Sequence, residues 1–112
     1  MTQLQATTTY QDIFGQIIKA ARIDGGVSQN ELAPLVEMSQ PALSKIERGA
    51  ADVTLSQILE LSRVLRLNGI LDEIKNTAEI IEARGVKVVS RDDSSISRIS
   101  SDALAALMRR LT

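Results

Sequence analysis

The apolar residues of this chain fall in short helical periods separated by polar or glycine-containing breaks. Tyr10, Ile13, Phe14, Ile17, Ile18 and Ala21 recur at intervals of three and four, the spacing that lines one face of an α-helix. Gly25-Gly26 ends this period, as glycine does at helix C-termini. Leu32, Ala33 and Val36 begin a second, shorter period. It is preceded by Ser28 and Glu31, a capping box in which each side chain satisfies the other residue's backbone N–H. Pro34 lies early in this helix, where it is either tolerated or distorts the first turn. Met38-Ser39-Gln40 breaks the pattern again. Ser39 is placed to cap a third helix, with Pro41 in its first turn, where a missing N–H costs least. Ala42, Leu43 and Ile46 face inward, and Gly49 stops the helix.

Ala50–Val53 reads as a loop, and Thr54 with Gln57 forms a second capping box. The helix it opens carries Leu55, Ile58, Leu59, Leu61, Val64 and Leu65, a broad apolar face. After a break at Asn68-Gly69, Ile70, Leu71, Ile74, Ala78 and Ile81 predict a fifth helix over Ile70–Arg84, ended by Gly85. Val86–Val89 reads as a short strand. Arg91–Ser101, rich in Ser, Asp and Arg, reads as a linker. Asp102–Leu111 is a short amphipathic helix striped by Leu104, Leu107, Met108 and Leu111. Met1–Thr9, rich in Thr and Gln, reads as a flexible N-terminal arm. The chain is therefore expected to be all-α, a helical bundle with a C-terminal extension of one strand and one helix.

Composition narrows the chemistry. The 112 residues fit one compact domain plus a modest extension. Aromatic residues make up 2%, so the core must be aliphatic. Cysteine and histidine are both absent. That removes disulfides and makes a zinc site or a histidine general base improbable. No nucleophile–base pair, metal cluster or phosphate loop stands out, so neither catalysis nor a cofactor is expected. No apolar run approaches the roughly 20 residues of a membrane span. The N-terminus lacks the pattern of a secretory signal, and a cytoplasmic location is expected. The net charge of −1 gives no overall electrostatic pull toward nucleic acid.

The informative stretch is Ser28–Gly49. Two short helices flank a tight turn, and the second begins with small polar residues. This layout can lay one helix across a DNA backbone and push the next into the major groove. The phrase SQNELAPLVEMSQPALSKIERG resembles the Cro/repressor-type (XRE) helix-turn-helix family, over about Phe14–Leu67. The resemblance implies a five-helix repressor-like bundle whose third helix reads DNA, with residues 10–67 as the DNA-binding domain. Carried over to this sequence, it implies a DNA surface of Ser28, Gln29, Ser39, Gln40, Pro41, Ser44, Lys45 and Arg48. Gln29 would hold a phosphate, and Gln40, Ser44 and Lys45 would face base edges. Arg22 and Glu47 match a structural ion pair. Pro41 departs from the pattern: it cannot donate a hydrogen bond, although it can touch a thymine methyl.

Residues 68–112 exceed a minimal domain of this kind. Ile70, Ile74, Ile81, Val86 and Val88 are the expected interface of a homodimer, since one such domain covers only a half-site. The expected role is a sequence-specific transcriptional regulator, a repressor binding palindromic operator DNA. Two alternatives stay open. One is an antitoxin that regulates its own operon and holds a partner toxin through the extension. The other is a protein-interaction module that does not bind DNA.

Overall fold

The computed structural model describes residues 6–90 and 99–110. Strand β1 (Thr7–Thr9) leads into helix α1 (Tyr10–Asp24), followed by α2 (Gln29–Leu35), α3 (Gln40–Glu47), α4 (Leu55–Val64) and α5 (Ile70–Ala83). Strand β2 (Lys87–Val89) and helix α6 (Ser101–Arg109) complete the order. The all-α bundle with its C-terminal extension is as expected. Most of the expected linker lies outside the described residues, as does Leu111 of the last apolar stripe. Among the described residues, no helix is long and apolar enough to cross a membrane.

Helix α1 is the central post. Its Ile13, Phe14, Ile17 and Ile18 are buried, joined by Leu32, Ala33 and Val36 from the second helical segment and Leu43 and Ile46 from α3. Helices α3, α5 and α6 all pack on α1. One close approach is at Gly15, where a Cβ would meet the Ile46 carbonyl oxygen and lie 2.6 Å from that of Glu47. Only a residue without a side chain lets α3 cross there.

Local chemistry sets the helix boundaries. Ser28, Ser39, Thr54 and Ser100 each accept the backbone N–H three residues on. The boxes expected at Ser28–Glu31 and Thr54–Gln57 both close. Helices α1 to α5 share one ending, in which the third residue past the helix donates its N–H five residues back: Val27 to Arg22, Met38 to Ala33, Ala50 to Lys45, Leu67 to Ser62 and Val86 to Ile81. This closure needs a left-handed residue. Glycine supplies it at three ends, but Glu37 and Arg66 supply it at the other two, with φ of 54° and 57°. Pro34 lies within α2, which ends one residue later.

Three expectations change. The arm assigned to Met1–Thr9 is not frayed at its end. Thr7–Thr9 is a buried strand, paired in parallel with Lys87–Val89. Its polarity hid it, yet its hydroxyls have partners: Thr8 donates to Asp12 Oδ2 at 3.2 Å, and Thr9 Oγ1 accepts the Asp12 N–H at 3.0 Å. With Asp12 Oδ2 also accepting the Thr9 N–H, Thr9 and Asp12 form a capping box that starts α1. Second, the apolar face of α4 is only half used. Leu61 is buried, whereas Leu55 and Leu59, one turn apart, face solvent. Third, the extension packs on its own chain. Ile81 and Leu104 are fully enclosed, and Ile70 and Val88 nearly so.

Candidate nucleic-acid interface

The two helices of the motif are joined by Val36–Ser39, a turn closed by Glu37 in the left-handed region. Buried Leu32, Ala33 and Val36 on one side and Leu43 and Ile46 on the other fix their crossing. The remaining face of α3 is open. Pro41 and Lys45 are exposed, Gln40 and Ser44 are half-buried, and Arg48 is exposed at the C-cap. Spacings of one, three and four along a helix put these residues on one side.

Beneath this face runs a chain of polar contacts. Arg22 grips Glu47 with two hydrogen bonds, Nε to Oε2 at 2.7 Å and Nη2 to Oε1 at 3.0 Å. Its third nitrogen, Nη1, donates to the Val27 carbonyl at 2.9 Å. The Glu47 side chain is 2% exposed and that of Arg22 12%, so this two-pronged pair is largely withdrawn from water. Hydrogen bonding to Glu47 holds the Arg22 pKa above its ordinary value, against a smaller opposing effect of burial. Glu47 Oε1 also accepts from Gln29 Nε2 at 3.0 Å, and Gln29 Oε1 accepts from Gln40 Nε2 at 2.7 Å. The expected ion pair is thus the base of a longer relay ending at the start of α3.

Two of the three serines of the site, Ser28 and Ser39, are occupied as caps. Ser28 Oγ holds the Glu31 N–H and Ser39 Oγ holds the Ala42 N–H. The Glu31 carboxylate accepts the Ser28 N–H at 3.1 Å, which lowers the Glu31 pKa. Lys45 and Arg48 have no ion-pair partner among the described residues, where the salt bridges are Arg22–Glu47 and Glu60–Arg63. Their charges face outward, a local cationic surface on a chain of near-zero net charge.

Of the five residues expected at a dimer interface, three are buried within the chain and two are half-buried. Ile70, Ile81 and Val88 belong to the chain's own core, and Ile74 and Val86 pack against it. Large apolar side chains that do face solvent include Tyr10, Leu55, Leu59, Leu71 and Ile80. Tyr10, Leu71, Ile74 and Ala78 line one shallow cleft with Lys75, Glu79 and Glu82. Spacing alone did not identify Tyr10, because its position within the α1 period is that of a core residue.

Residues 18–69 match the family model described as helix-turn-helix. No curated protein matches the chain. Among solved structures, that of the clp gene regulator ClgR from Corynebacterium glutamicum is similar, with a TM-score of 0.61 at 25% sequence identity. The likeness covers 67% of this chain and 82% of that one. The motif geometry, the open face of α3 and these likenesses agree: residues 18–69 form a helix-turn-helix domain of the Cro/repressor (XRE) type, the fold of a DNA-binding transcription regulator.

Proposed function

We propose that this protein is a sequence-specific transcriptional regulator that represses by binding palindromic operator DNA as a homodimer. The observation that carries this reading is the face of α3. It is open to solvent, and it presents Gln40, Pro41, Ser44 and Lys45 beside an exposed Arg48. Gln40 is the side chain best suited to base edges, and Pro41 to a thymine methyl. Lys45 and Arg48 supply phosphate contacts, as do backbone N–H groups at the start of α2 near Ser28 and Gln29. Two such faces in a dimer double the cationic surface and read two half-sites.

The dimer contact on this reading is the cleft of Tyr10, Leu71 and Ile74. The docking of α6 on its own chain through buried Leu104 favours a regulator acting by itself over one whose last helix holds a second protein. Selection of bound duplexes from a random pool tests the proposal. The expected result is an inverted repeat, bound more weakly as salt rises. A folded protein that retains no duplex at 50 mM salt would refute it. In sedimentation, Leu71→Asp with Tyr10→Asp should yield a folded monomer; a persistent dimer would place the contact elsewhere.

A further inference from the structure

The relay from Glu47 to Gln40 has a direction, and its chemistry fixes that direction. A glutamine amide has one accepting end and one donating end, and in isolation it can turn either outward. A carboxylate has no hydrogen to give. The atom Gln29 turns toward Glu47 Oε1, 3.0 Å away, must therefore be its nitrogen. That leaves Gln29 Oε1 facing Gln40, and an oxygen there accepts only from the Gln40 nitrogen, at 2.7 Å. Two amides in series thus transmit the choice made at Glu47. Arg22 fixes the carboxylate in place through its two hydrogen bonds.

We infer that Glu47, a residue that does not touch DNA, sets which base Gln40 reads, by locking the Gln40 amide with its oxygen and one N–H free. This rests on Gln40 being a base reader. One acceptor beside one donor is the complement of adenine, which presents the N6 amino group and N7 in the major groove. An amide turned the other way would have its oxygen engaged by Gln29 and present its N–H groups outward. That arrangement suits guanine, whose O6 and N7 both accept. Glu47 is a positioning residue, and its effect is on preference rather than on affinity alone.

Glu47→Gln reverses the relay at constant shape. One oxygen remains at position 47, and Arg22 Nε, the nearer donor at 2.7 Å, claims it. The new amide nitrogen then faces Gln29, and both amides flip. Gln29→Met cuts the relay while leaving the Arg22–Glu47 pair whole, so it reports even if Glu47→Gln does not fold. Both should be compared with the unaltered protein and Gln40→Ala by sequencing selected duplexes, with thermal unfolding of each variant measured alongside. The unaltered protein should prefer adenine at one position per half-site, by on the order of tenfold. Gln40→Ala should erase the preference at that position. Gln29→Met should reduce it to near parity, whatever uniform loss of affinity accompanies it, and Glu47→Gln should raise guanine there. If Gln40→Ala erases the preference but Gln29→Met retains it in full, the relay is refuted and Gln40 remains a base reader. If Gln40→Ala alters no position, base reading by Gln40 is refuted instead. Selection of guanine by the unaltered protein would refute the assigned direction.

Discussion

Replacing Gly15 by alanine probes the contact that seats α3 on α1. A methyl group at this position would lie 2.6 Å from the Glu47 carbonyl oxygen and 2.8 Å from its carbon, where ordinary contact begins at 3.4 Å. These atoms and the Ile46 carbonyl oxygen, which the methyl would also meet, are all backbone, so no rotamer change relieves the clash, and α3 as a whole must retreat. Overpacking of this kind costs about 1–3 kcal/mol, and rigid neighbours put it at the upper end. Alanine's better helix propensity returns about 1 kcal/mol. The net loss should be about 2 kcal/mol, a fall of roughly 10 °C in Tm for a domain near this size. Gly25→Ala is the matched control. Gly25 has φ of −79°, and a Cβ there stands 3.4 Å from its nearest neighbour, so the change should stabilise by about 0.5 kcal/mol. Thermal and urea unfolding of the two variants give the comparison. A Gly15→Ala protein as stable as the unaltered one would refute the close crossing and the seating of Glu47 that depends on it.

Arg22→Met should cost about 3–5 kcal/mol in urea unfolding, because it strands the buried Glu47 carboxylate; a loss below 1 kcal/mol would show that the pair is dispensable. The Arg22 pKa is raised on folding, so its contribution is complete below the unfolded arginine value and fades only as pH rises through the folded one, leaving stability between pH 5 and 9 untouched by this group. Glu31 has the opposite sign. Its pKa is lowered by the Ser28 N–H, so its contribution is present above the unfolded glutamate value and is lost as pH falls through the folded one. Ser28→Ala should remove about 1 kcal/mol of capping, and Glu31→Gln, which keeps the shape but loses the titrating group that accepts the Ser28 N–H, should flatten the acid limb of the Tm profile; an unchanged limb in Glu31→Gln would count against the box. Leu104→Ala should cost about 2–5 kcal/mol if α6 is part of the monomer's core, and a change within 0.5 kcal/mol would show that it is not. Lys45→Ala should lower the slope of log affinity against log salt by about one unit, equally for all sequences; a change confined to one base would reassign Lys45 from phosphate to base.

What the sequence made legible was local. Ser28–Glu31, Ser39 and Thr54–Gln57 announce helix starts within four residues, and each cap forms where expected. The motif residues follow from these starts. Partners distant along the chain were not readable. Thr7–Thr9 has no aliphatic side chain, and its strand is defined by Lys87–Val89 near the other end. The apolar stripes of α5 and α6 were visible, but periodicity does not say whether a stripe meets its own chain or another. The left-handed closures at Glu37 and Arg66 were hidden because neither residue favours that region. Gln29 and Gln40 were identified as site residues, yet the bonds of Gln29 to Gln40 and to Glu47 depend on how α2 packs against both ends of α3.

The pairing of β1 with β2 also has a meaning in time. Parallel strands cannot be joined by a tight turn, and here the connection between them is the run of helices α1 to α5. During synthesis Thr7–Thr9 leaves the ribosome before helices α1 to α5, while Lys87–Val89 and Ile99, whose N–H meets the Thr7 carbonyl at 2.6 Å, follow after them. At ordinary translation rates that interval is on the order of 10 s. The helices of the motif are all available to fold within it, with the first strand still unpaired. A nascent chain can therefore hold α2 and α3 in place before β1 and β2 meet, so their pairing clasps a motif that can already be formed.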